Sequence, residues 1–193
     1  MKVVIFMKRD LYVMRDKIKL FYAEDYDRKL IYDMAFEEDE IWKSMFDNKE
    51  DFDWSDIHDE ESYFFSSNPG INKYLLIEYD NQIVGTISHA YNDGKIPNME
   101  LDMWLRSMKY TGKGIGSKAM KLLIDSLTRD YEVGTFIIRP WIKNSRAIKA
   151  YEKCGFVVSD CFNPKEYYGK YFDKWGQGDY PEGENVNMIL SIE

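Results

Sequence analysis

Three glycines at alternate positions constrain this chain more than any other feature. In Thr111-Gly112-Lys113-Gly114-Ile115-Gly116-Ser117 they join a strand-like run, Met99 to Leu105, to an apolar-periodic run, Ile115 to Leu127. Glycine reaches backbone angles and close approaches that side chains forbid, so successive amides here can point at one anion beside a helix N-terminus. The stretch therefore reads as a strand–turn–helix unit that cradles phosphate, and the chain is expected to handle a phosphorylated cofactor. Spacing weakens one common nucleotide loop and rules out another. A dinucleotide fingerprint needs its third glycine at position 117, and a P-loop counted from Gly112 needs a glycine there too, but position 117 is Ser. On this stretch alone, a glycine-rich turn with no ligand remains the alternative.

The surrounding pattern predicts a mixed α+β domain. Leu11 to Met14 and Ile18 to Ala23 read as a short hairpin or a broken first strand. Tyr26 to Asp47 carries Leu30, Ile31, Met34, Ile41, Trp42 and Met45 at helical spacing, and Ser55 to Phe65 suggests a further short helix. Lys73 to Tyr79 and Gln82 to Tyr91 flank Asp80-Asn81, a hairpin signature. After the glycine turn, Ile115, Ala119, Leu122, Leu123 and Leu127 form one apolar stripe suited to packing on a sheet. Thr135 to Arg139 reads as a strand running parallel to Met99 to Leu105. Asn144 or Ser145 caps a helix to Lys153 that Gly155 closes. Phe156 to Asp160 and Val186 to Ile192 complete the sheet, and Asn163 to Glu184 reads as a long excursion.

With 193 residues and 45% hydrophobic content, one domain over 1–193 is expected, burying roughly 70% of the surface that the unfolded chain exposes. Cys154 and Cys161 lie seven residues apart, and with only His58 and His89 they match no zinc spacing, so neither metal nor disulfide is expected. The apolar run Val3 to Phe6 is far shorter than a signal h-region or a membrane span, which leaves a cytoplasmic address and no membrane partner as the expectation. The net charge of −8 is unevenly placed: Glu24 to Glu61 holds 16 acids against 4 bases, leaving 18 acids and 22 bases elsewhere. Such a field repels nucleic acid and attracts a cationic small molecule or basic peptide; a solvated acidic helix face is the plainer alternative.

Two motifs resemble those of the GCN5-related N-acetyltransferases, which use acetyl coenzyme A. The first is Thr111-Gly112-Lys113-Gly114-Ile115-Gly116, similar to the family's Gln/Arg-x-x-Gly-x-Gly/Ala, with Thr111 in place of Gln or Arg. The second is Asn144-Ser145-Arg146-Ala147-Ile148-Lys149-Ala150-Tyr151-Glu152-Lys153-Cys154-Gly155-Phe156, similar to Asn-x-x-Ala-x-x-x-Tyr-x-x-x-Gly-Phe. The likeness runs from about Met99 to Phe156. It implies a mostly antiparallel sheet splayed between the family's fourth and fifth strands, with flanking helices and acetyl-CoA as cosubstrate. Within the superfamily the chain is closer to aminoglycoside 6′-N-acetyltransferases, which carry an Asp where Asp102 stands, ten residues before Gly112.

The resemblance implies a site, and physical chemistry supplies its logic. The amides from Gly112 to Ser117 would hold the diphosphate, with Thr111, Lys113, Asn144 and Ala147 beside it, while an extended pantetheine would pair with the strand edge near Trp104 and Leu105. Those two residues' amides would polarise the thioester carbonyl. Asp102 is the candidate base and Tyr151 the candidate acid or hydrogen-bond donor to the leaving thiolate; rim hydrogen bonding and core packing are their plainer alternatives. Direct attack is expected, with Cys154 structural. Acceptor contacts are sought among Glu37, Glu38, Asp39, Glu40, Trp42, Asp53 and Trp54, and in the late excursion at Tyr167, Tyr168 and Tyr171. An aminoglycoside-like amine leads. A polyamine, a protein amino group, or a non-catalytic acyl-CoA-binding module are the rivals, and a homodimer is left open.

Overall fold

The computed structural model describes residues 9–39, 41–45, 47, 54, 72–181 and 183–192, apart from the side chains of Lys174 and Trp175. Eight strands make one sheet among them: β1 (Leu11–Arg15), β2 (Ile18–Tyr22), β3 (Lys73–Tyr79), β4 (Gln82–Asn92), β5 (Asn98–Leu105), β6 (Thr135–Ile138), β7 (Val157–Val158) and β8 (Met188–Ser191). Their spatial order is β1-β2-β3-β4-β5-β6-β8-β7. Every pairing is antiparallel except β5 with β6. The helices are α1 (Arg28–Phe36), α2 (Ile115–Tyr131), α3 (Ser145–Glu152) and α4 (Pro164–Tyr168).

Local chemistry sets the central hairpin. Asp80 and Asn81 both take positive φ, 49° and 61°, so the two-residue turn matches the twist of β3 and β4. α2 lays its apolar stripe on one face of the sheet, where Ile115, Ala119, Leu122, Leu123 and Leu127 meet Leu75, Ile77, Val84, Ile87, Met99 and Phe136. Each large side chain buried there contributes about 1.5–3 kcal/mol. The alternation of β3 sends Leu76 to the opposite face, where Ile31 and Met34 of α1 cover it.

The expected helix over Tyr26 to Asp47 is shorter in the structure. α1 stops at Phe36 because the next residues are Glu37, Glu38 and Asp39, whose negative charge opposes the helix C-terminus. Two of these carboxylates bind the loop after β5: Glu38 accepts from Arg106, and Asp39 accepts from the Ser107 hydroxyl and, at 3.1 Å, from the Met108 amide. A 3₁₀ turn, Ile41–Ser44, follows. The expected strand Phe156 to Asp160 shrinks to β7, and the excursion Asn163 to Glu184 contains α4, which Asn163 caps onto Lys165 and whose Tyr168 is fully buried. The expected helix Ser55 to Phe65 lies outside the described residues.

The splay that forms the site is visible in the register. β5 and β6 pair only at Met99↔Phe136 and Glu100↔Ile137, whereas β5 stays paired with β4 through Leu105. Among the described residues, 101–105 therefore keep one edge without a strand partner, and a cleft opens there.

Candidate active site

The glycine turn delivers what its sequence demands. Gly112 and Gly114 adopt φ of 70° and 77°, and a Cβ at either would face open space, so backbone angle rather than crowding selects glycine. Gly114 is the N-cap of α2 and carries no capping side chain; the first helical bond is Lys118 N–H to Gly114 O at 3.0 Å. The amides of Ile115, Gly116 and Ser117 thus have no partner within the helix and sit at its positive end. Gly116 serves packing instead, since a Cβ there would lie 3.0 Å from the Met103 Cε.

A cleft of about 450 Å³ runs from this turn along the free edge of β5. Trp104, Leu105, Thr111, Gly112, Gly114, Ile115, Gly116, Ser117, Asn144, Ala147 and Tyr151 line it, so most of the expected residues come together; Lys113 does not line it, and Asp102 faces the adjoining cavity instead. Asn144 spends both side-chain atoms on structure: its Oδ1 accepts from the Ala147 amide at 3.1 Å, capping α3, and its Nδ2 donates to Ser44 O at 2.8 Å. That second bond ties the 3₁₀ strap across the cleft. Backbone alternation distinguishes the two expected carbonyl-polarising amides. Arg106 N–H donates to Val84 O at 2.8 Å, so the Trp104 amide also turns toward β4 while those of Met103 and Leu105 face the open edge. Met103 N–H is already held by Asp102 Oδ1 at 2.8 Å, which leaves Leu105.

A second, narrower cavity of about 50 Å³ adjoins the cleft; Met45, Met103, Asn144, Ala147 and Tyr151 wall both. Three carboxylates face it, from Glu100, Asp102 and Asp179. Asp102 is reachable by water yet ringed by protein, and this enclosure, with the charges of Asp179 and Glu100, pushes its pKa up to about 7 against the hydrogen bond from Met103. Burial also raises the Glu100 carboxyl, although Arg139 Nε donates to it at 2.8 Å. Arg139 lies over the Tyr168 ring, 4.7 Å from its centroid, and donates to Gly176 O at 3.2 Å. Trp141 and Tyr180 stack in the cavity wall with centroids 5.9 Å apart and planes 10° from parallel. Tyr151 is 4% exposed, and burial plus the Asp102 charge hold its hydroxyl well above the usual phenol range. Cys154 is buried, its thiol raised by burial and directed at Ser117 O at 3.6 Å, as a packing residue would be.

Among the described residues, none of the arm's expected acceptor contacts lines this cavity. Glu38 and Asp39 are engaged with the Arg106–Met108 loop, Trp54 packs on Tyr32 at 5.3 Å, and Glu40 and Asp53 lie outside the described residues. Nor do the expected tyrosines reach it: Tyr167 stacks on Phe162 at 4.7 Å, Tyr168 underlies Arg139, and Lys170 lies over the Tyr171 ring. Glu100, Asp179, Trp141 and Tyr180 take those places. Glu100 had a sequence signal, two residues before Asp102 and hence on the same face of the strand. Asp179 had none.

The acetyltransferase (GNAT) family matches residues 29–156. The chain belongs to this family. Over 56 residues it is 39% identical to aminoglycoside N(6')-acetyltransferase type 1 of Klebsiella pneumoniae, a match covering 29% of this chain and 28% of that protein's length. Aminoglycoside acetyltransferase AAC(6')-Ib in complex with coenzyme A superposes with a TM-score of 0.67 at 19% identity, over 90% of this chain and 94% of that one. RimL, a ribosomal L7/L12 alpha-N-protein acetyltransferase also in complex with coenzyme A, gives 0.68 at 18% identity, over 95% and 98%. At these identities the two likenesses are of fold. Among the described residues of this GNAT chain, no helix is long and apolar enough to cross a membrane, and no group of three or more His, Cys, Asp or Glu could hold a metal ion.

Proposed function

We propose that this GNAT chain transfers an acetyl group from acetyl coenzyme A to a primary amine of a cationic, aminoglycoside-like small molecule by direct attack. The observation that carries the reading is the junction itself. A cleft with free helix amides and a free strand edge meets a narrow cavity faced by three carboxylates, with Tyr151 in the common wall. The free amides of α2 fit a diphosphate, and the Leu105 edge fits an amide chain.

An ammonium of pKa about 10 must lose its proton before attack, which costs on the order of 4 kcal/mol at neutral pH. Asp102, near 7, is ionised enough at neutral pH to accept that proton and basic enough to be an effective acceptor. Glu100 and Asp179 attract the ammonium and hold it at the cavity mouth. The Leu105 amide is oriented to polarise the thioester carbonyl, and the Tyr151 hydroxyl, kept protonated by burial, is suited to donate to the departing thiolate. A protein α-amino group is the second reading, favoured by the fold likeness to RimL. Thiol release from acetyl coenzyme A, followed over a panel of aminoglycosides, polyamines and peptides, tests both. Aminoglycoside turnover that falls about 10²-fold or more in Asp102→Asn is expected. Turnover confined to peptides, or untouched by Asp102→Asn and Tyr151→Phe, overturns the reading.

A further inference from the structure

Charge is segregated between the two cavities, and the cleft holds the sign opposite to that of the whole chain. The protein carries −8, yet among the described residues no Asp or Glu lines the cleft, while Arg146, Lys149 and Lys153 do. Their spacing of three and four residues puts these cations on one face of α3 and its last turn. Among the described residues none of the three has a carboxylate partner, whereas Lys143, just before α3, is paired with Asp47 at 2.8 Å. Arg146 donates to the Met108 sulfur at 3.1 Å. Three desolvatable cations facing a cleft without counter-charges form a site for a polyanion.

The glycine turn opposite already supplies donors for two phosphate charges through the amides of Ile115, Gly116 and Ser117. α3 packs against this turn, with the Ser117 hydroxyl 3.5 Å from Ala150 O. Coenzyme A carries, besides its diphosphate, a dianionic 3′-phosphate on the ribose. We propose that the Arg146, Lys149 and Lys153 face binds this 3′-phosphate and makes the cleft specific for coenzyme A over its 3′-dephospho form. The inference rests on the coenzyme A reading of the cleft and adds the group that discriminates the cofactor.

All three side chains are exposed, so replacing them leaves the core intact. Isothermal titration with coenzyme A and with 3′-dephospho-coenzyme A, on the wild-type chain and on the Arg146→Gln/Lys149→Gln/Lys153→Gln variant, decides it. The wild-type chain is expected to bind coenzyme A roughly tenfold or more tightly than the dephospho form, the strength of charge-assisted bonds to phosphate. The variant loses that preference and binds the dephospho form as the wild type does, while Lys121→Gln, a cation on α2 outside the cleft lining, keeps it. Equal wild-type affinity for the two ligands overturns the 3′-phosphate assignment and leaves the coenzyme A reading standing. A preference that survives in the variant assigns the 3′-phosphate elsewhere. Absence of binding by either ligand removes both.

Discussion

Asn144 offers the sharpest test of how the site is assembled, because its two side-chain atoms do separable work. The Oδ1 caps α3 through the Ala147 amide at 3.1 Å, and the Nδ2 holds the strap through Ser44 O at 2.8 Å. Loss of an N-cap costs about 1 kcal/mol, and loss of an ordinary hydrogen bond costs about 1 kcal/mol. Asn144→Ala forfeits both, so about 2 kcal/mol is expected, which for a chain of this size lowers Tm by roughly 4–8 °C. Asn144→Ser keeps a good cap and forfeits the strap, so about half that shift is expected. Hydrogen exchange read residue by residue separates the two effects. Amides 41–45 exchange faster in both variants, whereas the Ala147 amide exchanges faster only in Asn144→Ala. The strap also has anchors at Glu38–Arg106 and, at 2.8 Å, Lys143–Asp47, so it loosens rather than detaches. Unchanged exchange at 41–45 in Asn144→Ser, or equal Tm losses in the two variants, refutes the division of labour.

Three further outcomes follow from the charged groups. If Asp102 acts as base, kcat/KM for the best acceptor climbs with pH through about 7, because the ionised form is the active one; a profile flat from pH 6 to 8 contradicts the assignment. Glu100→Gln strips the carboxylate from Arg139, whose side chain is 6% exposed, and is expected to cost about 3 kcal/mol in chemical denaturation; a loss below about 1 kcal/mol identifies the pair as solvent-screened. His89 is buried, and desolvation with the nearby Lys73 charge lowers its pKa from 6.5 to about 3. The unfolded chain therefore binds this proton first, so the stabilisation is whole above pH 6.5 and is lost as pH falls toward 3; His89→Leu flattens that part of the stability curve, and an unchanged slope rules His89 out as its source.

The elements legible in the sequence are those whose requirements are local. A two-residue turn that needs positive φ at Asp80 and Asn81, glycines that need it at 112 and 114, an Asn that caps α3, and an apolar stripe at helical spacing each announce themselves within a few residues. The helical reading over Tyr26 to Asp47 failed for the opposite reason. Its periodicity was sound, but Glu38 and Asp39 gain more from Arg106 and Ser107, nearly seventy positions away, than from continuing a helix whose C-terminal dipole repels them. Tyr168 reads as a polar loop residue until α4 buries it under Arg139.

By itself the sequence determined the strand–turn–helix unit and the capped α3, each written in the conformational preferences or spacing of one short segment, and it carried the family resemblance that nominated Asp102 and Tyr151. Only the tertiary structure decided what surrounds that pair. It brought Asp179 and Tyr180 back beside Glu100 and Asp102, turned the Leu105 amide rather than that of Trp104 to the open edge, and faced the α3 cations across the glycine turn. Those placements depend on register and on long-range packing, where one residue's slip reverses a side chain, and no local pattern carries that information.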